Sequence, residues 1–87
     1  MVDNDWRPMR VLGTYTRSSP DGTLIETYHD GYQVNETGAF IWSLVGSGRT
    51  VDEIAAEMTS HYGLPGTRAL EVVSAFLAQL QDRGFVE

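Results

Sequence analysis

The imidazole side chains in this 87-residue chain, the residue type used most often for acid–base catalysis, are His29 and His61. A general base needs a proton donor or an orienting carboxylate within hydrogen-bond reach. His29 falls in a turn, and His61 near the end of a helical segment, where a cation suits the helix dipole. Asp52, Glu53 and Glu57 are close in sequence, but their spacing places the first two at a helix start and supplies no converging metal ligands. Gly46-Ser47-Gly48 has the glycine content of a phosphate-cradling loop. It lacks the lysine of such loops and follows a helix rather than a strand. No HExxH or GxSxG pattern occurs. Cysteine is absent, which removes disulfides, zinc-thiolate sites and thiol nucleophiles together. The expectation is a protein that is not an enzyme and carries no metal and no cofactor.

Charge narrows the partners. Twelve acids against six arginines, without lysine, leave a net charge of −6. Nucleic-acid binding needs a positive face that displaces counterions from phosphates. The segment Thr50–Arg83 has five acids, Asp52, Glu53, Glu57, Glu71 and Asp82, against Arg68 and Arg83. No nucleic acid is expected. No apolar run approaches the roughly 18–20 residues that cross a bilayer, so no membrane is expected either. Met1–Arg10 is polar and acidic rather than basic and then apolar, unlike a secretory signal. The expected location is cytoplasmic.

The elements that must position any site follow from periodicity and punctuation. Val11–Arg17 and Thr23–Tyr28 have the β-branched and aromatic content of strands, with the turn residues Ser18-Ser19-Pro20-Asp21-Gly22 between them. His29-Asp30-Gly31 supplies a second tight turn before a short third strand, Tyr32–Val34. Asn35 is a good N-cap, and Thr37, Phe40, Ile41, Leu44 and Val45 form the apolar stripe of a first helix. Thr50 and Glu53 have the spacing of a capping box, followed by the stripe Val51, Ile54, Ala55, Met58 and Tyr62. After Gly63-Leu64-Pro65-Gly66, a third helix is predicted over Thr67–Arg83, with Leu70, Val73, Phe76, Leu77 and Leu80 inward. Gly84 suits the position after its end, and Phe85 and Val86 are expected to fold back on the core. Residues 1–87 thus read as one α+β domain, a winged helix-turn-helix with a three-stranded antiparallel sheet followed by three helices. Residues 1–9 are expected to be loosely ordered.

Residues 31–86 also carry a recognisable pattern. Asn35-Glu36-Thr37-Gly38 follows a Gly-aromatic strand and leads into Ile41-Trp42. Arg49-Thr50-Val51-Asp52-Glu53-Ile54, then Phe76-Leu77-Ala78-Gln79-Leu80, then Arg83-Gly84-Phe85-Val86 complete it. Together they resemble the PqqD family, also called RiPP recognition elements. Val11–Tyr28 matches in pattern only.

The resemblance implies a non-catalytic domain that binds the leader segment of a ribosomally made precursor peptide. The leader adds as a strand to the edge of the third strand and packs against the third helix. A freestanding member of this length most resembles the leader-binding protein of lasso-peptide systems. Its partners would then be the precursor leader, a separate cysteine-protease-like maturation chain and a cyclase. A PqqD-like chaperone for a radical-SAM peptide-modifying enzyme is the near alternative. From a different class come an acidic winged-helix transcription regulator and a structural subunit of a larger assembly.

The residues agree with the family reading. Tyr32, Gln33 and Val34 form a short edge without the Lys or Pro that usually guards one. Val73, Leu77 and Leu80 centre the buried stripe of the third helix, while Ala69, Val72 and Phe76 form a strip to one side. The expected peptide-binding set is Tyr32, Gln33, Val34, Ala69, Val72, Val73, Phe76 and Leu80, with Arg83 at the rim. Val72 and Phe76 equally suit a wide core face. The opposite flank, near Leu70, Ser74 and Gln81, is the other place for a groove.

Overall fold

A computed structural model describes residues 3–87. Three antiparallel strands, β1 (Tyr15–Ser19), β2 (Gly22–Glu26) and β3 (Gly31–Val34), pair in the order β1-β2-β3. Three helices follow: α1 (Glu36–Leu44), α2 (Val51–Tyr62) and α3 (Gly66–Asp82). This is the expected α+β order, with α2 and α3 forming the helix-turn-helix.

The helix starts are built from local hydrogen bonds. Asn35 Oδ1 accepts from the Gly38 N–H at 2.9 Å and caps α1. At α2 the box closes in both directions. The Glu53 N–H donates to Thr50 Oγ1 at 3.1 Å, and the Thr50 N–H donates to Glu53 Oε1 at 2.9 Å. Gly84 stands just past α3 with φ 81°, a conformation costly for any residue with a Cβ. It turns the chain so that Phe85 and Val86 return to the core, at 0% and 3% exposure.

Several boundaries and faces differ from the sequence reading: β1 runs on to Ser19, β2 begins at Gly22 and α3 spans Gly66–Asp82, and the larger differences have physical causes. β1 starts at Tyr15 rather than Val11. Val11 instead donates its N–H to Phe85 O, and Thr14 donates to Val11 O across a turn. The strand propensity of Val11 is therefore used against the C-terminal segment, where Arg10 and Val86 form an isolated bridge. β2 stops at Glu26 rather than Tyr28, because Thr27 already donates to Asp30 O and closes the hairpin. Tyr28 and His29 form the tip, and Gly31 belongs to β3. In α1 the inward face is Gly38, Ile41 and Trp42, with Val45 just beyond. Thr37, Phe40 and Leu44 are only half-buried. Trp42 turns the helix: its ring fills the core at 1% exposure while its Nε1–H donates to Thr16 Oγ1 at 2.6 Å. In α3 the core positions are Ala69, Val73, Leu77 and Leu80, and Leu70 and Phe76 lie at the margin.

Of the lead-in, residues 1 and 2 lie outside the described residues. The rest crosses the start of α2. Trp6 O and Asn4 O accept from the N–H groups of Val51 and Asp52, at 2.9 and 3.2 Å, which would otherwise lack intrahelical partners. Pro8 is fully buried, and Met9 and Glu87 exchange two backbone hydrogen bonds at 2.8 Å.

Candidate functional site: the groove between β3 and α3

Because β2 is the middle strand, β3 has a free edge. Residues along an antiparallel strand alternate between those that hydrogen-bond to the partner and those whose groups face away. Thr27 bonds to Asp30, so Ile25–Tyr32 and Thr23–Val34 are the bonded pairs that follow in register. The backbone groups of Gly31 and Gln33 therefore point to the open side.

Beside that edge runs one strip of α3. Val72, Phe76, Gln79 and Arg83 follow at spacings of four, three and four, the spacing of one helix face. Tyr32 ties strand to strip. Its ring stacks on Phe76 at 6.4 Å and on Phe85 at 6.3 Å between centroids, and its hydroxyl donates to Gln79 Oε1 at 2.7 Å. The Arg83 guanidinium lies 4.8 Å from the Tyr32 ring centroid, within cation–π range. Tyr32, Gln79, Asp82 and Arg83 line an open hollow of about 350 Å³. Gly38 lets Phe76 lie against the start of α1: a Cβ there would stand 3.1 Å from both Phe76 Cε1 and Val34 Cβ.

The expected site residues divide into two groups. Tyr32, Val72 and Phe76 are half-buried along the groove, and Gln33 and Arg83 are exposed beside it. Ala69, Val73 and Leu80 have no exposed surface, and Val34 only 5%. These four side chains support the groove from behind. They differ in this from the other expected contact residues, whose side chains reach the groove surface. Gln79, Asp82 and Asp30 belong to the groove and were absent from the expected set. For Gln79 the signal was present: it lies three residues after Phe76 and four before Arg83. A search for apolar positions passes over it.

The two histidines lie apart from the groove. His61 stacks on Phe40 at 4.4 Å, and His29 packs edge-on to Tyr28 at the hairpin tip. Among the described residues no three His, Cys, Asp or Glu side chains gather as a metal site would require. No described helix is long and apolar enough to cross a membrane.

Two carboxylates are held below their usual titration range. For Asp30 the main cause is hydrogen bonding from Arg83. For Glu53 it is the Thr50 backbone N–H. A lowered folded-state pKa means that the stabilisation is complete above the unfolded values, about 3.9 for Asp and 4.3 for Glu, and fades as pH falls through the folded ones. The melting temperature is expected to be insensitive to these groups from pH 5 to 7 and to drop below about pH 4. In Asp30→Asn that acid limb should be shallower. Thermal melts of both proteins between pH 2.5 and 7 check this, and identical acid limbs would remove Asp30 from the account.

The described residues thus form a winged helix-turn-helix in which the outer edge of β3 runs beside the Val72, Phe76, Gln79 and Arg83 strip of α3. The profile described as "Coenzyme PQQ synthesis protein D (PqqD)" matches residues 20–86, and the chain belongs to the PqqD family. A comparison with curated protein sequences finds no match. Two solved structures share the fold. One is described as "Lasso peptide synthetase B1 complexed with the leader peptide", with a TM-score of 0.84 and 19% identity over 94% of this chain and 99% of the other. The second is "TbiB1 in Complex with the TbiA(beta) Leader Peptide", with a TM-score of 0.81 and 17% identity over 91% and 94%.

Proposed function

We propose that this protein binds the leader segment of a ribosomally synthesised precursor peptide and presents it to a separate maturation enzyme. The observation that carries the reading is the open β3 edge beside the Val72–Phe76–Gln79–Arg83 strip. Membership in the PqqD family and the leader complexes of both structural relatives support it. The leader pairs its backbone with β3 and rests alternate side chains on α3. The description of the first relative, a lasso peptide synthetase component, favours a lasso-peptide system, in which the maturation enzyme is a cysteine-protease-like chain and a cyclase acts later. Service to a radical-SAM enzyme is the second reading, favoured by the family's description.

The domain does no chemistry of its own in this reading, and it works in the cytoplasm, where precursor peptides are made. Nothing in the groove pairs a nucleophile with a base. Nor does α3 offer nucleic acid a basic face, because its exposed positions include Arg68, Glu71, Ala75 and Asp82.

The test uses fluorescein-labelled leader segments of the short precursor peptides encoded in the same genome. At least one should raise anisotropy saturably, with an affinity that changes little between 50 and 300 mM salt, because apolar burial and backbone pairing release few counterions. The full precursor should keep its mass after incubation with the protein alone. Absence of binding across the panel would sink leader recognition. Steep salt-dependent binding to duplex DNA would favour the regulator, and a mass change would reveal an enzyme.

A further inference from the structure

The Gly31 end of the free edge is closed by the protein's own side chains. The Gly31 N–H donates to Asp30 Oδ1 at 2.8 Å, and Arg83 Nη2 donates to Gly31 O at 3.2 Å. Arg83 is held there by Asp30, with Nε to Oδ2 at 3.1 Å and Nη2 to Oδ1 and Oδ2 at 2.8 and 3.0 Å. Both groups that Gly31 would offer a new strand are thus satisfied. Gln33 differs. Its side chain turns back to Ser19 Oγ and Thr23 O, away from the edge, and leaves its backbone rung open.

We propose that the Asp30–Arg83 pair is a register stop, which makes an added peptide strand pair first at Gln33 and keeps it from sliding toward the hairpin. The inference rests on the strand-addition reading and goes one step deeper. A slip of one residue would send every peptide side chain to the wrong face, so the pleat itself resists it. A slip of two residues preserves the faces, and side-chain alternation does nothing against it. Only a closed rung two residues away discriminates, and Gly31 is that rung. Opening it means breaking charge-assisted, bidentate hydrogen bonds, which are stronger than neutral ones. Arg83 and Asp30 are therefore positioning residues: they select the register in which the peptide meets Val72 and Phe76, the apolar part of the α3 strip.

The experiment compares wild type with Asp30→Ala and Arg83→Met, since either change opens the pair and both sites are exposed enough to leave the core intact. In the free proteins, Gly31 amide exchange should be faster in Asp30→Ala than in wild type. Each protein is then mixed with the tightest peptide of the leader panel, spin-labelled at one end. Wild type should show protection of the Gln33 amide and a single pattern of paramagnetic broadening. The variants should show a second pattern displaced by two residues in at least about a tenth of the complex, because each releases one of the two Gly31 groups, N–H in Asp30→Ala and C=O in Arg83→Met, for a hydrogen bond worth about fivefold in affinity. Protection of Gln33 with one unchanged register in both variants overturns the stop and leaves strand addition standing. An unprotected Gln33 amide in wild type overturns strand addition at this edge, and the stop with it.

Discussion

Replacing Trp42 with alanine is expected to lower the unfolding free energy by about 3–5 kcal/mol, the usual cost of removing a buried aromatic ring. The ring is 1% exposed and lies at the junction of α1 with the sheet. Its Nε1–H is satisfied by Thr16 Oγ1 at 2.6 Å, and the Arg10 guanidinium covers its face at 4.4 Å while donating to Trp42 O at 2.8 Å. Truncation leaves a cavity and removes the partner of Thr16 together with the surface on which Arg10 rests. For a domain of this size each kcal/mol shifts the melting temperature by roughly 4–8 °C, so a fall of at least about 12 °C is expected. Total stabilities of small domains are only about 5–15 kcal/mol, so the variant should be partly unfolded at physiological temperature. Calorimetry or circular dichroism measures the shift. A fall of less than about 5 °C would mean that Trp42 carries little of the core.

The second large effect is expected on peptide binding. Val72→Glu should raise the dissociation constant of the leader peptide at least tenfold, which corresponds to about 1.4 kcal/mol. Val72 lies one turn before Phe76 on the strip beside β3 and is half-buried against the core margin. Backbone bonds exchanged with water contribute only about 0.5–1.5 kcal/mol each. An apolar leader side chain buried on the strip adds roughly 1.5–3 kcal/mol. A carboxylate at Val72 removes that term and must lose its own hydration when the peptide covers it. In the free protein the carboxylate can reach water, so the melting temperature should fall by no more than about 5 °C. Titration of the labelled peptide and a thermal melt of the same sample separate the cases. A collapse of the melt would make Val72 a core residue. A stable variant with undiminished affinity would move the groove to the Leu70, Ser74 and Gln81 flank.

What the sequence determined by itself is the set of features made by neighbours along the chain. The Asn35 cap, the Thr50–Glu53 box and Gly84 after α3 each rest on hydrogen bonds or dihedral limits within a few residues. The stripe of α2 is equally local, because a 3.6-residue period and one apolar face decide which side is buried. The element order and the family pattern follow from such signals, and so does the short unguarded strand Tyr32–Val34. The tertiary structure decided everything that depends on which distant groups meet. Trp42 rotates α1 inward because Thr16, 26 residues earlier, accepts its N–H. Val11 stays out of the sheet and donates to the Phe85 carbonyl, 74 residues later, at 3.0 Å. Val73 and Leu80 sink out of reach while Gln79 comes to the surface, since α3 must satisfy both the α2 core and the β3 margin. Arg83 meets Asp30 across 53 residues. A charge on a rim reads the same in sequence whether it waits for a ligand or is already paired, because local spacing has no information about an ion pair closed only by folding.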